Sequence, residues 1–205
     1  MSRSVWWCVA VLIAAGLAAP AQVIRFESGG LNYQTLSRGG LTTMFAHLPA
    51  QVREYTVVQA AVSNGTKMAC TIQPEAFTFR FSDGRELHAV GAEAVVTKLL
   101  EKASRTDLTR LIETYEIGIY GLSRFKSTSG YEQRRQAAVA TMRSTKLSAA
   151  AAASAIAFVE TKLKPGDSTD GALFFPAKGR PLDGSRLRVT VCGQLFEFDA
   201  EPASR

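Results

Sequence analysis

The chain is poor in the residues that carry most enzymatic and metal chemistry. Of its 205 residues, two are histidine and three are cysteine. Three cysteines are too few for a disulfide-dense miniprotein. His47 and His88 have no cysteine or carboxylate cluster near them in sequence, so they make a poor zinc set. A hydrolase triad needs a nucleophile with a histidine base in reach. Both histidines fall in or near predicted strands, where the residue more often serves the surface or the core. No G-x-S-x-G motif occurs: Gly121-Leu122-Ser123-Arg124 fails it, and Gly84 is followed by Arg85. Gly29-Gly30 and Gly39-Gly40 lack the Lys-Ser/Thr continuation or strand-to-helix setting of a phosphate cradle. Asp167-Ser168-Thr169-Asp170-Gly171 lacks the spaced oxygens and downstream Glu of a calcium loop, and reads as a turn after Pro165-Gly166. No cofactor, no metal and no catalytic residue is expected. Beyond the first 20 residues there is also no apolar run long enough to span a bilayer. A composition 46% hydrophobic and 20% charged excludes a disordered tail or a collagen-like repeat.

The first 21 residues have the pattern of a secretory signal. Arg3 supplies a positive start, residues 5–17 form a thirteen-residue apolar run, and Ala19-Pro20-Ala21 offers small residues for cleavage before Gln22. Cys8 lies near the start of the apolar run, where lipidation would need it at the end. The expected location is periplasmic or extracellular, with no transmembrane span after cleavage.

Residues 22–40 are rich in Gly and Ser and read as a flexible lead-in. A single β-sandwich domain is expected over residues 41–205, interrupted by a helical insertion at about 92–164. Residues 55–62 are β-branched and small apolar, and Asn64-Gly65 after them is a hairpin signal. Asn64-Gly65-Thr66 also fits a glycosylation acceptor, but the turn explains it. Phe77, Phe79 and Phe81 share one strand face, with Thr78 and Arg80 on the other, and Asp83-Gly84 closes another turn.

The period changes at Ala92. Val95, Val96, Leu99 and Leu100 recur at helical spacing, and Thr106 or Asp107 is positioned to cap a second helix carrying Leu108, Leu111, Ile112, Tyr115, Ile119 and Leu122. Residues 131–146 and an Ala-rich stretch over 148–163, with Ile156, Val159 and Leu163 on one side, complete a block of about four helices. Alanines at 149–153 suit close helix packing better than a membrane surface. Strands resume at 172–175, at 187–191, and at Phe196 and Phe198, with Cys192-Gly193-Gln194 as a hairpin loop.

Three stretches resemble the bacterial extracytoplasmic immunoglobulin-like domains of unknown function. They are Val62-Ser63-Asn64-Gly65-Thr66 with the later Phe77-Thr78-Phe79, then Leu163-Lys164-Pro165-Gly166-Asp167 leading to Gly171-Ala172-Leu173-Phe174-Phe175-Pro176, and the strand over 187–191. The resemblance implies an immunoglobulin-like sandwich with a binding or scaffolding role. The helical block departs from such domains.

Charge is unevenly spread. Residues 92–164 hold 12 Lys and Arg against 7 Asp and Glu, and the rest of the chain after residue 21 holds 11 of each. Within the block, Arg124, Lys126, Arg134, Arg135, Arg143 and Lys146 face Glu132 alone over residues 123–146. A concentrated basic surface outside the cytoplasm suits an acidic envelope protein or an anionic surface. Nucleic acid is not expected as a partner, since no aromatic-plus-basic motif accompanies the charge. The leading reading is an exported, non-enzymatic interaction module with these six residues as its partner surface. The alternative is a structural envelope component that self-associates, through an exposed strand edge, as a homo-oligomer; a hydrolase-type enzyme ranks third.

Cys70 and Cys192 remain after cleavage, in a compartment where a bridge persists. Cys70 shares an apolar strand face with Met68 and Ile72 and is expected to be buried. Cys192 shares parity with Arg188 and Thr190 on the polar side, which opposes a bridge unless Gly193 marks a bulge that re-aims it. Both outcomes stay open from the sequence.

Overall fold

A computed structural model describes residues 22–111, 113 and 144–200. The protein is mainly β, in antiparallel sheets, with helices inserted between strands. A five-stranded sheet has the order β1-β2-β3-β4-β9, formed by Ile24–Ser28, Leu31–Arg38, Leu41–Val52, Tyr55–Asn64 and Ser168–Phe175. A four-stranded sheet has the order β11-β10-β6-β7, formed by Gln194–Asp199, Arg186–Val191, Phe77–Arg80 and Glu86–His88. The short strands β5 (Cys70–Ile72) and β8 (Thr161–Leu163) pair with each other. Among the described residues there are three α-helical stretches: α1 (Ala92–Lys102), α2 (from residue 105 to at least 111) and α3 (Thr145–Ile156).

The alternation in β4 explains the layering. Val58, Ala60 and Val62 join Phe77, Phe79, Leu187, Val189, Phe196 and Phe198 in a core between the two sheets. The intervening Tyr55, Val57 and Ala61 join Val95, Leu99, Leu111, Ala149, Ala153 and Ile156 in a second core under the helices. Successive side chains of a strand point to opposite faces, so a strand apolar at nearly every position must be covered twice. β9 follows the same rule, with Leu173 and Phe175 in the first core and Ala172 and Phe174 in the second.

Residues 22–40 are not a flexible lead-in. They form the β1–β2 hairpin and the turn into β3. Gly29-Gly30 and Gly39-Gly40 all have positive φ, which two-residue turns between twisted antiparallel strands require. The glycine pairs that read as looseness are the two tight turns of the sheet. Asn64-Gly65 is the converse case: it closes no hairpin, because β4 ends at Asn64 and the chain crosses to β5 in another sheet. The buried Asn64 directs that crossing. Its Nδ2 donates to the carbonyls of Met68 (2.8 Å) and Leu163 (3.2 Å), and its Oδ1 accepts from the Thr66 amide (3.0 Å).

The expected helical block is also redrawn. The Ala-rich helix starts at Thr145 and ends at Ile156, while Leu163 belongs to β8. The Phe158 amide donates to the Ala172 carbonyl (2.8 Å), so the edge of β9 draws the chain out of the helix. The expected helix over 131–146 lies outside the described residues up to 143. Ser104 replaces Thr106 and Asp107 as the cap of α2. Its amide and hydroxyl donate to Asp107 Oδ2 (2.8 Å each), and the Asp107 amide donates back to Ser104 Oγ (3.2 Å). This is a capping box with an aspartate in the third helical position.

Cys70 and Cys192 form a disulfide with their Cα atoms 5.6 Å apart. Strand parity does not apply to Cys192, because it sits in the two-residue turn between the paired Val191 and Gln194, with φ of 49°. The bridge joins the β5–β8 ribbon to the four-stranded sheet across a sequence separation of 122. Cys70→Ser/Cys192→Ser is expected to lower the unfolding free energy by about 3–5 kcal/mol, measured by urea denaturation against the oxidised protein. Gly171 offers a second test. A Cβ there would lie 2.6 Å from the Phe158 backbone nitrogen, where no flexible side chain can yield. Gly171→Ala is expected to cost about 2–3 kcal/mol in the same measurement.

Candidate functional site

Of the six basic residues singled out from the sequence, Arg124, Lys126, Arg134, Arg135 and Arg143 lie outside the described residues. Lys146 is in the first turn of α3, with its side chain exposed. Its Nζ donates to the Glu101 carbonyl in the last turn of α1 (2.7 Å). A cation there satisfies a carbonyl with no partner inside the helix and meets the negative end of the helix dipole. Lys146 thus braces α3 against α1.

The helix layer is fastened to the sheet by the turn between β3 and β4. Arg53, with φ of 54°, donates through Nη1 to the Lys102 carbonyl (2.7 Å) and to Asp107 Oδ2 (3.3 Å). Lys98 approaches Glu54 at 3.8 Å, and Arg110 donates to the Gln51 carbonyl. Burial works to raise the Asp107 pKa. The Ser104 hydrogen bonds and the Arg53 guanidinium outweigh it and hold the carboxyl below its ordinary range. The same turn receives the Lys178 amide at the Glu54 carbonyl (2.8 Å), which ties in the loop after β9.

That loop and the β6–β7 hairpin enclose a cleft of about 200 Å³. Phe81, Leu87, Pro176, Ala177 and Leu182 make it apolar, and Arg85, Arg180 and Glu86 bring charge to it. Arg85 lies over the Phe81 ring, 5.0 Å from its centroid, and pairs with Asp83. The Arg85 amide and guanidinium hold the Asp83 carboxyl below its ordinary pKa.

The two histidines are placed apart. His88 is exposed on β7, with Nδ1 3.0 Å from Thr78 Oγ1 and Nε2 3.9 Å from a Glu86 carboxylate oxygen. His47 is enclosed between the sheets. Its ring stacks on Phe79 (centroids 5.7 Å apart) and meets Phe45 edge-on at the same distance. Its Nε2 is buried with no hydrogen-bond partner among the described residues. Asp167 and Asp170 also separate: Asp167 accepts from the Lys164 amide in a turn, while Asp170 is buried in β9. Among the described residues no three His, Cys, Asp or Glu side chains group to hold a metal.

One polar cluster escaped the sequence reading. Tyr33 donates to Gln59 Oε1 (3.0 Å) in the core beneath the helices, and burial, with the nearby Asp170 charge, pushes its phenol well above the ordinary value. The legible signal was polar Gln59 interrupting the otherwise apolar β4.

His47 generates a pH prediction. Burial lowers its pKa to about 4, against a smaller opposite effect of Asp183. Well above pH 6.5 the imidazole is neutral whether the chain is folded or unfolded. As the pH falls from 6.5 towards 4 the unfolded chain takes up the proton first, so stability declines across that window, by about 3 kcal/mol in all. His47→Phe is expected to remove this component, measured as the difference between the two proteins' urea stabilities at pH 7 and pH 4.5.

Neither a family model, nor a curated protein, nor a solved structure matches this chain, and its function is read from its own residues.

Proposed function

We propose that the protein is an exported, non-enzymatic interaction module of the cell envelope, with its partner surface on the basic stretch of residues 123–146. One observation carries the reading: residues 123–146 hold six Lys and Arg against one Glu, and the described helices that come before and after this part of the chain in sequence are anchored in one core. On the leading side Leu111 is fully buried in the core under the helices, and Asp107 is clamped by Arg53. On the returning side Ala149, Ala150 and Ala153 are buried in the same core, and Lys146 is bonded to α1. An acidic envelope protein or an anionic surface is the class of partner that such a charge attracts.

Export is supported by the signal pattern in residues 1–21 and by the Cys70–Cys192 bridge, a linkage typical of oxidising compartments. An immunoglobulin-like description is supported by two antiparallel sheets sharing one apolar core. The uninterrupted meander β1-β2-β3-β4 is a departure from the Greek-key connections of such domains. The alternative reading, a self-associating structural component, draws support from β1, an outer strand bearing exposed Ile24 and Phe26.

The test is charge reversal. Arg134→Glu/Arg135→Glu/Arg143→Glu is expected to abolish both crosslinking through Lys126 in the envelope fraction and binding to vesicles rich in phosphatidylglycerol. The melting temperature should stay unchanged. Retention of every interaction shown by the parent protein would overturn the proposal.

A further inference from the structure

The outer edge of the five-stranded sheet is β1, whose residues 24–27 are all exposed. Its two large apolar side chains, Ile24 and Phe26, are 61% and 39% exposed, and Phe26 stacks on Tyr33 with ring centroids 5.3 Å apart. The hairpin pairs Ser28 with Leu31, Phe26 with Tyr33 and Ile24 with Thr35 around the two-residue Gly29-Gly30 turn. In such a hairpin the closing pair is hydrogen-bonded and the pattern alternates along the strand. Ser28, Phe26 and Ile24 therefore direct their backbone groups to β2, and Arg25 and Glu27 direct theirs outward. An edge of this kind is a template for another strand.

We propose that β1 pairs antiparallel with β1 of a second copy of this chain, about a two-fold axis at Phe26. Three symmetric registers bring outward backbone groups of both copies together near the middle of the strand. A register centred on Arg25 sets two arginines directly opposite, and one centred on Glu27 sets two glutamates opposite. Like charges facing each other across strands are destabilising, and opposite charges stabilise. Centring on Phe26 places Arg25 of each copy opposite Glu27 of the other, in two hydrogen-bonded pairs. The Arg25 guanidinium keeps its approach to Asp199 (3.9 Å) on that same face. On the other face the two Phe26 side chains meet as a non-hydrogen-bonded pair, where side chains come closest. The patch is self-complementary, as a two-fold interface must be. The pairing would join two five-stranded sheets into one. It is independent of the basic stretch, so failure of either proposal leaves the other standing.

The experiment uses the protein expressed with its own leader, purified, and followed by sedimentation velocity from micromolar to millimolar concentration. A reversible dimer is expected. Phe26→Asp should weaken it at least about tenfold, a change of about 1.4 kcal/mol in the dimerisation free energy. Arg25→Glu should weaken it in the same direction, and Arg25→Glu/Glu27→Arg should restore it. Cysteine crosslinking reads the register directly. Phe26→Cys should form a disulfide-linked dimer, because the Cα separation of a non-hydrogen-bonded pair lies within disulfide reach. Ile24→Cys alone should not, whereas Ile24→Cys mixed with Ser28→Cys should. Circular dichroism confirms that each variant is folded. A monomer at every concentration, a dimer indifferent to Phe26→Asp, or crosslinking by Ile24→Cys alone would overturn the proposal.

Discussion

Strands β4 and β9 of the five-stranded sheet are buried on both faces, and much of the remaining architecture follows from covering them. β4 and β9 bury nearly every side chain they carry. Val58 and Val62 on one face and Val57 and Ala61 on the other cannot all be removed from water by a single layer. Burying each such valine is worth about 1.5–3 kcal/mol, so leaving either face open would forfeit much of the stability of a domain this size. The second sheet covers one face with phenylalanines, and the helices cover the other with small residues. Ala149 and Ala153 let α3 lie close to both the sheet and α1. The described helices α1, α2 and α3 thus cover the second core, held there by burial.

Two connections convert this stacking into a fixed arrangement. The turn over residues 51–54 holds the helix layer through Arg53, Glu54 and the Gln51 carbonyl, and also holds the loop after β9. The Cys70–Cys192 bridge acts at the opposite kind of joint, between the β5–β8 ribbon and the four-stranded sheet, which share no strand. The first device is polar and partly exposed, so it gives position more than energy. The second is covalent and closes a long loop, so it acts mainly on the unfolded chain.

The functional reading depends on the same frame. Charge clustering is a property of the sequence, but a cluster becomes a surface only if the fold keeps it on one side. Helices α2 and α3, which come before and after most of that stretch in sequence, are packed in the core under the helices. The edge strand β1 is a separate consequence: a five-stranded antiparallel sheet has two edges, and β9 is occupied along its outer side by Val90, Ala157 and Phe158. The edge that remains carries opposite charges at Arg25 and Glu27.

Local patterning was sufficient for much of the secondary structure. The alternation of Phe77 with Thr78 and Phe79 with Arg80, the Asp83-Gly84 turn, the strand over 187–191 and the start of α1 at Ala92 all stand as the sequence indicated. These features depend on residues within a few positions of one another, where side-chain period and turn chemistry decide. What only the tertiary structure decided depends on distant partners. Gly29-Gly30 and Gly39-Gly40 became turns because β2 and β3 had strands to pair with. Asn64-Gly65 did not close a hairpin, because β4 found β9 across a gap of about a hundred residues. Leu163 left the helical pattern for a strand opposite Cys70. Cys192 reached its partner because a turn residue is released from strand alternation. By itself the sequence determined periods, turns and the distribution of charge, because these are short-range. Pairing, layering and the bridge were left to the fold, because hydrogen-bonded registers and buried contacts are set by strands and helices far apart in the chain.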